Sequence, residues 1–406
     1  MLEFLKIVVV FTMIILLLRR KVNLGLTMLL GALFLGIMFL LPPLTILKVA
    51  AQSAVDQATV NLIIVLVLIM FLENLMRNTG TLQKMVDSLK ALIGDHRLVM
   101  GILPAFVGFL PSAGGARFSA PLVDQAADGL GLTAERKSFI NYWYRHLWEY
   151  TFPVYPGLIL ASRVLDIPIY HLIAIQFPMA VLAVLVAIPT AFRGVAGGNG
   201  RKARTNDRWR DWLDLLLGIG PISVVIILVL AFKVDLVIAL VATFCALLLL
   251  HRYSAPRVVS LVREAFSFDI VLLVVGVMIF NGVLEATGAV NALPGFFSSL
   301  NIPVEFIVFA LPFIVGLLTG VTIAYVGVTF PILQVLVASG TLSPSLVAFA
   351  FVSGFAGVML SPAHLCLVLT IQHFRADFSR VYRMLILPES LIVAAAAAFY
   401  LLVKPA

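Results

Sequence analysis

The stretch that decides the fold is GFLPSAGGARFSAPLV, residues 108–123. Its centre, residues 111–115, contains a proline and two adjacent glycines, which interrupt a helix, and Arg117 follows two residues later. The residues on both sides are mostly apolar. The stretch therefore predicts a turn between two apolar helical arms, with an arginine beside the turn.

The whole chain has the composition of a membrane protein. Apolar residues make up 62% of its 406 residues, charged residues make up 12%, and the mean hydropathy is +1.11, outside the range of soluble globular chains. In hydrocarbon every backbone polar group needs an internal partner, so only helices and closed barrels cross a bilayer. Because the apolar runs are long and do not alternate, the sequence predicts an all-α polytopic membrane protein.

The apolar runs predict about ten transmembrane helices, five on each side of a hydrophilic segment. The hydrophilic segment is RGVAGGNGRKARTNDRWRDW, residues 193–212, whose glycines and arginines are typical of a flexible basic linker. The predicted transmembrane helices lie near residues 4–18, 24–41, 59–76, 139–165, 169–192, 213–231, 234–250, 268–286, 343–374 and 381–403.

The two halves share an ordered series of matching positions at a nearly constant shift of 208–210 residues. The matches include Thr79-Gly80 with Thr287-Gly288, Leu103-Pro104 with Leu311-Pro312, Pro153 with Pro362, and Pro178 with Pro388. After the Thr-Gly pair, both halves predict an amphipathic helix, at 79–93 and 288–300. The series predicts an internal duplication, with residues 1–192 and 213–406 as the two repeats.

An odd number of spans in each half places the second repeat in the membrane upside down relative to the first. The distribution of charge tests this arrangement, because cytoplasmic loops are enriched in lysine and arginine. With the N-terminus outside, most of the 28 lysine and arginine residues lie in the cytoplasm, including those of the linker. The sequence predicts a multi-pass inner-membrane protein with both termini outside, and topology rather than nucleic-acid binding explains its net charge of +8.

Two further apolar regions, residues 98–129 and 303–338, are too broken to form plain spans. An extra crossing in either half would spoil the charge pattern, so each region is predicted to be a re-entrant helical hairpin, the first entering from inside and the second from outside. Their tips are LPSAGG, residues 110–115, and LTGVT, residues 318–322. Glycines let a ligand approach the backbone closely, and exposed N–H groups at a tip favour an anion.

A second pair of breaks lies inside predicted spans, in YTFPVYPG at 150–157 and LSPAHLC at 360–366. Proline removes a helix hydrogen bond and frees a carbonyl one turn earlier, and freed carbonyls and half-helix ends hold cations such as sodium. Sodium or a proton is the expected coupling ion, and no other cofactor is predicted. The predicted coupling-ion residues are Ser112, Thr151, Pro153, Thr319, Ser361 and Pro362.

The tips and the breaks together predict one central site for a small organic anion. Arg117 is suited to bind a carboxylate or phosphate through two parallel hydrogen bonds, and its alternative role is an ion pair with Asp124. His364, inside the second break, is suited to donate to the substrate or to titrate during transport. The predicted substrate-binding residues are Ser112, Ala113, Gly114, Gly115, Arg117, Thr319, Gly320, Thr322 and His364.

The remaining ionisable and sulfur groups in apolar segments are predicted to have structural roles. Arg145 and Glu149 are four residues apart, a spacing that favours an ion pair on one helix face. His146 and Cys366 are interpreted as packing residues. Cys245, the second of two cysteines, also lies in an apolar run, so no disulfide or metal framework is predicted.

The paired amphipathic helices, opposed hairpins and broken helices resemble the ion transporter superfamily, which includes carriers for dicarboxylates, citrate, gluconate and arsenite. The strings LPSAGGARFSAP and LSPAHLCLVLT look closest to an uncharacterised branch of integral membrane proteins within it. The dicarboxylate carriers bind sodium and substrate through Ser-Asn-Thr at both tips, whereas here the tips hold Ser112, Thr319 and Thr322 without asparagine. The resemblance implies an elevator motion and a homodimer.

The sequence therefore predicts a secondary active transporter of a small organic anion, because two inverted repeats let one central site face either side of the membrane in turn. Two alternatives remain open. A passive anion channel would line a continuous pore, which two opposed hairpins would block. A membrane-embedded enzyme would need a catalytic set, and the chain has neither an HExxH nor a GxGD motif.

The predicted orientation is tested by chemical labelling. Single cysteines placed in residues 197–206 of a Cys245→Ser, Cys366→Ser chain are expected to resist a membrane-impermeant maleimide in intact cells, because the linker is cytoplasmic. The same cysteines should react once the cells are permeabilised. Rapid labelling in intact cells would reverse the predicted orientation.

Overall fold

The computed structural model describes residues 2–20, 22–93, 95–109, 115–195, 208–288, 303–338 and 343–403. Most of these residues are helical. Five of the described helices are long and apolar enough to cross a membrane, over Gln57–Met76, Ile169–Phe192, Arg208–Leu230, Phe268–Ala286 and Phe378–Val403. Several shorter helices are equally apolar. The prediction of a helical membrane protein is therefore confirmed.

The helices before the linker form the first half of the chain. They are α1 (Leu2–Arg19), α2 (Leu24–Met38), α3 (Pro43–Val55), α4 (Gln57–Asn78), α5 (Thr81–Leu92), α6 (His96–Val107), α7 (Ala116–Ala126), α8 (Ala134–Arg145), a 3₁₀ turn (Leu147–Tyr150), α9 (Pro156–Val164) and α10 (Ile169–Phe192). Apolar side chains such as Phe177 and Leu185 on α10 point outward, as expected for a surface that faces lipid.

The helices after the linker form the second half. They are α11 (Arg208–Leu230), α12 (Leu236–Leu250), α13 (Ala255–Ala265), α14 (Phe268–Ala286), α15 (Val304–Thr319), α16 (Thr322–Ala338), α17 (Pro344–Met359), α18 (Leu365–Phe374) and α19 (Phe378–Val403). As in the first half, exposed apolar residues such as Leu216 and Leu217 on α11 give these helices an apolar outer surface.

Polar residues just before the apolar runs decide where several helices begin. The side chains of Asn23, Asp235 and Ser343 each accept a hydrogen bond from a backbone N–H in the first turn of the following helix. Asp95 does the same for α6, where hydrogen bonds from Arg97 also hold the pKa of the Asp95 carboxyl below its usual range.

The two helix interruptions predicted from Pro153 and Pro362 are present, and the first begins earlier than predicted. Helix α8 already ends at Arg145, and α9 does not start until Pro156. A ring nitrogen of His146, Nδ1, lies 2.6 Å from the carbonyl oxygen of Tyr142. The imidazole thus satisfies one of the carbonyls that a helix end leaves unpaired. In the second half, α17 ends at Met359 and α18 starts at Leu365.

Two helices, α3 and α13, form where the sequence predicts none. Both are short and follow or contain a proline in the first turn, a position that proline favours. Helix α3 has 13 residues with Lys48 near its centre, so its sequence lacks the long apolar run by which a span is detected. Helix α5 lies inside the amphipathic helix predicted at 79–93, whereas residues 289–300 of the predicted counterpart lie outside the described residues.

The helices of the two halves pack in an exchanged pattern around the interruptions. Helices α6 and α7 pack against each other, as do α15 and α16. Helix α7 then packs against α18 of the second half, and α16 packs against α9 of the first half. Each half therefore supplies one wall of the region where the other half interrupts its helix.

Helices α15 and α17 are in close contact, and the contact depends on glycine. A Cβ atom on Gly316 would collide with the carbonyl oxygen of Gly354, and one on Gly357 would collide with the carbonyl oxygen of Phe313. Small residues at such positions let helix backbones touch, which is the main source of helix association in membranes.

Replacing Gly357 with alanine is expected to push α15 away from α17. We expect a loss of about 1–3 kcal/mol, typical of overpacking, seen as a lower thermal unfolding temperature in detergent. Gly220→Ala is the matched control, since Gly220 is also in a helix but has nothing within 4 Å of an added Cβ. Equal unfolding temperatures for the two variants would contradict this account of the α15–α17 contact.

Candidate functional site

A cavity of about 330 Å³ lies where the interrupted helices meet the turn between α15 and α16. Its walls come from both halves of the chain: the end of α8, the 3₁₀ turn, the start of α9, the α15–α16 turn and the start of α18. The lining residues are Arg145, His146, Glu149, Tyr155, Pro156, Gly157, Gly320, Val321, Thr322, Ile323, Ala363, His364, Leu365 and Cys366.

Arg145 places a buried positive charge in the cavity wall. Its side chain donates through Nη1 to Cys366 Sγ at 3.1 Å. Its guanidinium also packs against Gly115, where a Cβ atom would collide with it, and its backbone carbonyl packs in the same way against Gly108. The hydroxyl of Tyr155 donates to the carbonyl oxygen of Gly108. These contacts hold the ends of α6 and α7 beside the cavity.

His146 and His364 form a buried imidazole pair in the cavity. Their Nε2 atoms lie 3.2 Å apart. His146 Nδ1 faces the Tyr142 carbonyl, which only accepts hydrogen bonds, so Nδ1 carries the proton and Nε2 is bare in the neutral ring. His364 Nε2 then donates to His146 Nε2. His364 Nδ1, buried as well, has no hydrogen-bond partner among the described residues.

Glu149 links the first interruption to the α15–α16 turn. Its Oε2 accepts a 2.6 Å hydrogen bond from the hydroxyl of Thr322, and its Oε1 lies 3.9 Å from His146 Nε2. Gly157 makes this possible, because a Cβ atom there would collide with the Thr322 methyl group. The helix face on which Arg145 and Glu149 were predicted to pair does not form, since α8 ends at Arg145 and Glu149 lies in a separate 3₁₀ turn. The two side chains still interact electrostatically.

Gly320 forms the turn between α15 and α16. Its φ angle of 65° lies in the left-handed region that favours glycine. A Cβ atom on Gly320 would lie 2.8 Å from the backbone nitrogen of His364 and 2.9 Å from the Ser361 hydroxyl oxygen. The turn therefore packs directly against the second interruption.

The predicted substrate-binding residues are placed as follows. Gly320, Thr322 and His364 line the cavity, and Thr319, just before the turn, donates its hydroxyl to the carbonyl oxygen of Val315. Gly115 contacts the Arg145 guanidinium. Ser112, Ala113 and Gly114 lie outside the described residues.

Arg117 lies in the first turn of α7, where the structure describes the backbone but not the side chain. The alternative partner considered for it, Asp124, has another cation beside it. Lys137 Nζ lies 2.7 Å from Asp124 Oδ1. The predicted anion contact of Arg117 stays a prediction.

The predicted coupling-ion residues that the structure describes are not in the cavity lining, and Ser112 lies outside the described residues. Ser361 is buried, and its hydroxyl accepts from the backbone N–H of Ala363. Thr151 is also buried, and its N–H donates to the carbonyl of Trp148. Pro153 and Pro362 lie in the two interruptions. A sodium site at these residues stays a prediction.

Comparison with known families covers nearly the entire chain. Residues 4–403 match the family described as protein of unknown function, DUF401. The chain belongs to the DUF401 family. No curated protein matches it. A function for this DUF401 protein is therefore inferred from the chemistry of its cavity.

Two cavity residues, His146 and Cys366, were assigned to packing by the sequence pattern and instead line the cavity. His146 precedes Pro153 by seven residues and Cys366 follows Pro362 by four, and the nearby interruption is the sequence signal that points to them. Their partners lie 218–221 residues away in the chain, so spacing along the sequence does not reveal the contacts.

The Glu149–Thr322 hydrogen bond predicts a stability difference between two Thr322 variants. Thr322→Val should reduce the free energy of unfolding by about 1–3 kcal/mol, because the buried Glu149 carboxylate loses its hydrogen-bond donor. The loss is measured as a lower thermal unfolding temperature. Thr322→Ser keeps the hydroxyl and should lose less. A larger loss in Thr322→Ser, which lacks the methyl group, than in Thr322→Val would show that the methyl contact with Gly157 rather than the hydrogen bond holds the two halves together here.

Proposed function

We propose that this DUF401 protein is a secondary active transporter of a small organic anion, coupled to sodium or protons. The observation that carries the proposal is the cavity to which both halves of the chain contribute interrupted helices, and whose lining includes the buried ionisable side chains Arg145, Glu149 and His364. Isolated buried charges are costly in an apolar protein, so ionisable groups collected around a cavity usually serve a substrate or ion.

The proposed architecture has about ten transmembrane helices and two re-entrant hairpins, α6–α7 and α15–α16, in two inverted repeats. Support comes from the positions of the helices, which recur after a shift of about 210 residues: Leu24 and Leu236 begin helices, as do Pro156 and Leu365, and Ile169 and Phe378. The exchanged packing of α7 on α18 and of α16 on α9 has the pairing expected of two related halves.

The ten crossings consist of three groups of helices. The five long apolar helices form one group, and the shorter apolar helices α1, α2 and α12 form another. The interrupted pairs α8–α9 and α17–α18 would complete the set, each pair crossing once. Together with the charge distribution, this gives an inner-membrane protein whose termini both lie outside.

The substrate site combines the cavity with the first hairpin tip. Arg145 supplies a buried positive charge, Thr322 and His364 supply polar groups, and Gly320 lets a ligand reach the backbone. Arg117 and the tip residues 112–115 are proposed to complete the anion site. Serine and threonine hydroxyls and the carbonyls freed before Pro153 and Pro362 would hold sodium, if sodium is the coupling ion.

The motion and assembly of the carrier follow from the resemblance to the ion transporter superfamily. By that resemblance the hairpins and interrupted helices move together between the two faces of the membrane, and α5 links them to a fixed scaffold. The same resemblance gives a homodimer, in which the scaffolds of two chains form the contact. These two features are proposed on the resemblance alone.

A binding screen comes first, because the substrate is a class rather than one compound. The purified protein is heated with mono-, di- and tricarboxylates, each as sodium and as choline salt. An anion that binds the native state should raise the apparent unfolding temperature. An increase that appears with sodium alone indicates sodium coupling, and one that depends on pH indicates protons.

Uptake then tests transport itself. Proteoliposomes should accumulate the radiolabelled anion saturably and show counterflow, and Arg117→Ala should abolish uptake while the protein stays folded. Arg257→Ala is the control, because Arg257 is exposed and forms a surface ion pair with Glu264. Normal uptake by Arg117→Ala would remove Arg117 from the site.

The same assay separates the alternatives. Flux that does not saturate and shows no counterflow would indicate a passive anion channel. Chemical conversion of the anion without net transport would indicate a membrane-embedded enzyme. Either result would contradict the proposed carrier.

A further inference from the structure

We propose that His146, His364 and Cys366 bind a transition-metal ion of the zinc type in the cavity. One ligand atom from each of these buried side chains can be chosen so that all three lie within 4.8 Å of one another. His146 comes from the first half of the chain, and His364 and Cys366 come from the second. The ion would therefore bridge the two interruptions.

The imidazole pair already has the spacing of two ligands on one metal. The Nε2 atoms are 3.2 Å apart, close to the separation given by two zinc–nitrogen bonds of about 2.0–2.1 Å at a tetrahedral angle. Including Cys366 requires the three side chains to close by about 1 Å to reach normal zinc–sulfur bond lengths. Rotation about side-chain bonds beside a cavity of about 330 Å³ provides that freedom.

The orientation of His146 is the one that metal-binding histidines adopt. Its Nδ1–H donates to the carbonyl of Tyr142 at 2.6 Å, which leaves the Nε2 lone pair facing His364. A hydrogen bond from the ring nitrogen that does not bind the metal fixes the orientation of the ring and increases the basicity of the nitrogen that does. The hydrogen bond thus prepares His146 for a metal before the ion arrives.

Cys366 has the surroundings that a metal-binding thiol needs. Binding replaces the Cys366 thiol proton with the metal ion, and that proton leaves for solvent. The proton on His364 Nε2 is exchanged to His364 Nδ1, so that His364 Nε2 presents a lone pair to the metal. Arg145 Nη1 lies 3.1 Å from the sulfur and stabilises the thiolate.

The donor set selects the class of metal. Two imidazole nitrogens and one thiolate suit zinc and similar transition metals, whereas sodium, magnesium and calcium prefer oxygen ligands. This site is therefore distinct in chemistry from the oxygen-based sodium site proposed above. It stands on its own geometry and does not depend on the carrier function.

The test uses Co²⁺ as a spectroscopic probe and Zn²⁺ as a competitor on the full-length protein. Co²⁺ bound by a thiolate should give a sulfur-to-metal charge-transfer band, and Zn²⁺ should remove it. Cys366→Ser should abolish the band and weaken Zn²⁺ binding by more than about tenfold. Cys245→Ser is the matched control, because Cys245 is exposed on α12 and outside the cluster, and it should keep the band.

A protection assay keeps the test decisive if Cys366→Ser does not fold. In the Cys245→Ser chain, Cys366 is the one remaining cysteine, and Zn²⁺ should slow its reaction with a small thiol reagent. His364→Asn should remove that protection. Absence of the cobalt band in the wild-type protein, a band that survives in Cys366→Ser, or labelling that Zn²⁺ does not slow would each overturn the proposal.

The metal-binding test and the transport test can fail separately. A protein that binds Zn²⁺ at this cluster but moves no anion contradicts the proposed carrier function and leaves the metal site intact. A protein that transports anions without the cobalt band contradicts the metal site and leaves the carrier intact.

Discussion

A helix that stops inside an apolar protein leaves backbone carbonyls and N–H groups that must find partners away from water. This requirement governs the centre of the structure. The carbonyl of Tyr142 is satisfied by the His146 ring, and that of Gly108 by the Tyr155 hydroxyl. In these cases a side chain of the interrupted segment supplies the missing hydrogen bond. The interruptions and the end of α6 are therefore held together.

Close packing against the interrupted helices explains the glycines around the cavity. Gly115, Gly157 and Gly320 each lie where a Cβ atom would collide with Arg145, Thr322 or His364, respectively. The lack of a side chain at these points lets chain segments touch, within one half at Gly115 and Gly320 and between the two halves at Gly157. Within the second half, glycines of α15 and α17 bring the backbones of those two helices into contact. The cavity is thus the space that remains when closely packed helices surround interrupted ones.

Several features of the fold could be predicted because they depend on local chemistry. Proline lacks an N–H group, so Pro153 and Pro362 indicate the two interruptions. The five long spans follow from runs of apolar residues. The short helices α3 and α13 could not be predicted in this way, because neither produces an apolar run long enough to cross a bilayer. The helix face expected to hold Arg145 and Glu149 was wrong, because the spacing rule assumes a continuous helix and α8 ends at Arg145.

What the sequence by itself determined is the class of protein, the positions of its long helices and the prolines and glycines that interrupt them. These follow from composition and from the backbone limits of single residues. Only the tertiary structure decided that Glu149 bonds Thr322, that His146 meets His364 and that Arg145 meets Cys366. Each of these contacts joins residues 173–221 positions apart, and their meeting depends on how helices from the two halves pack.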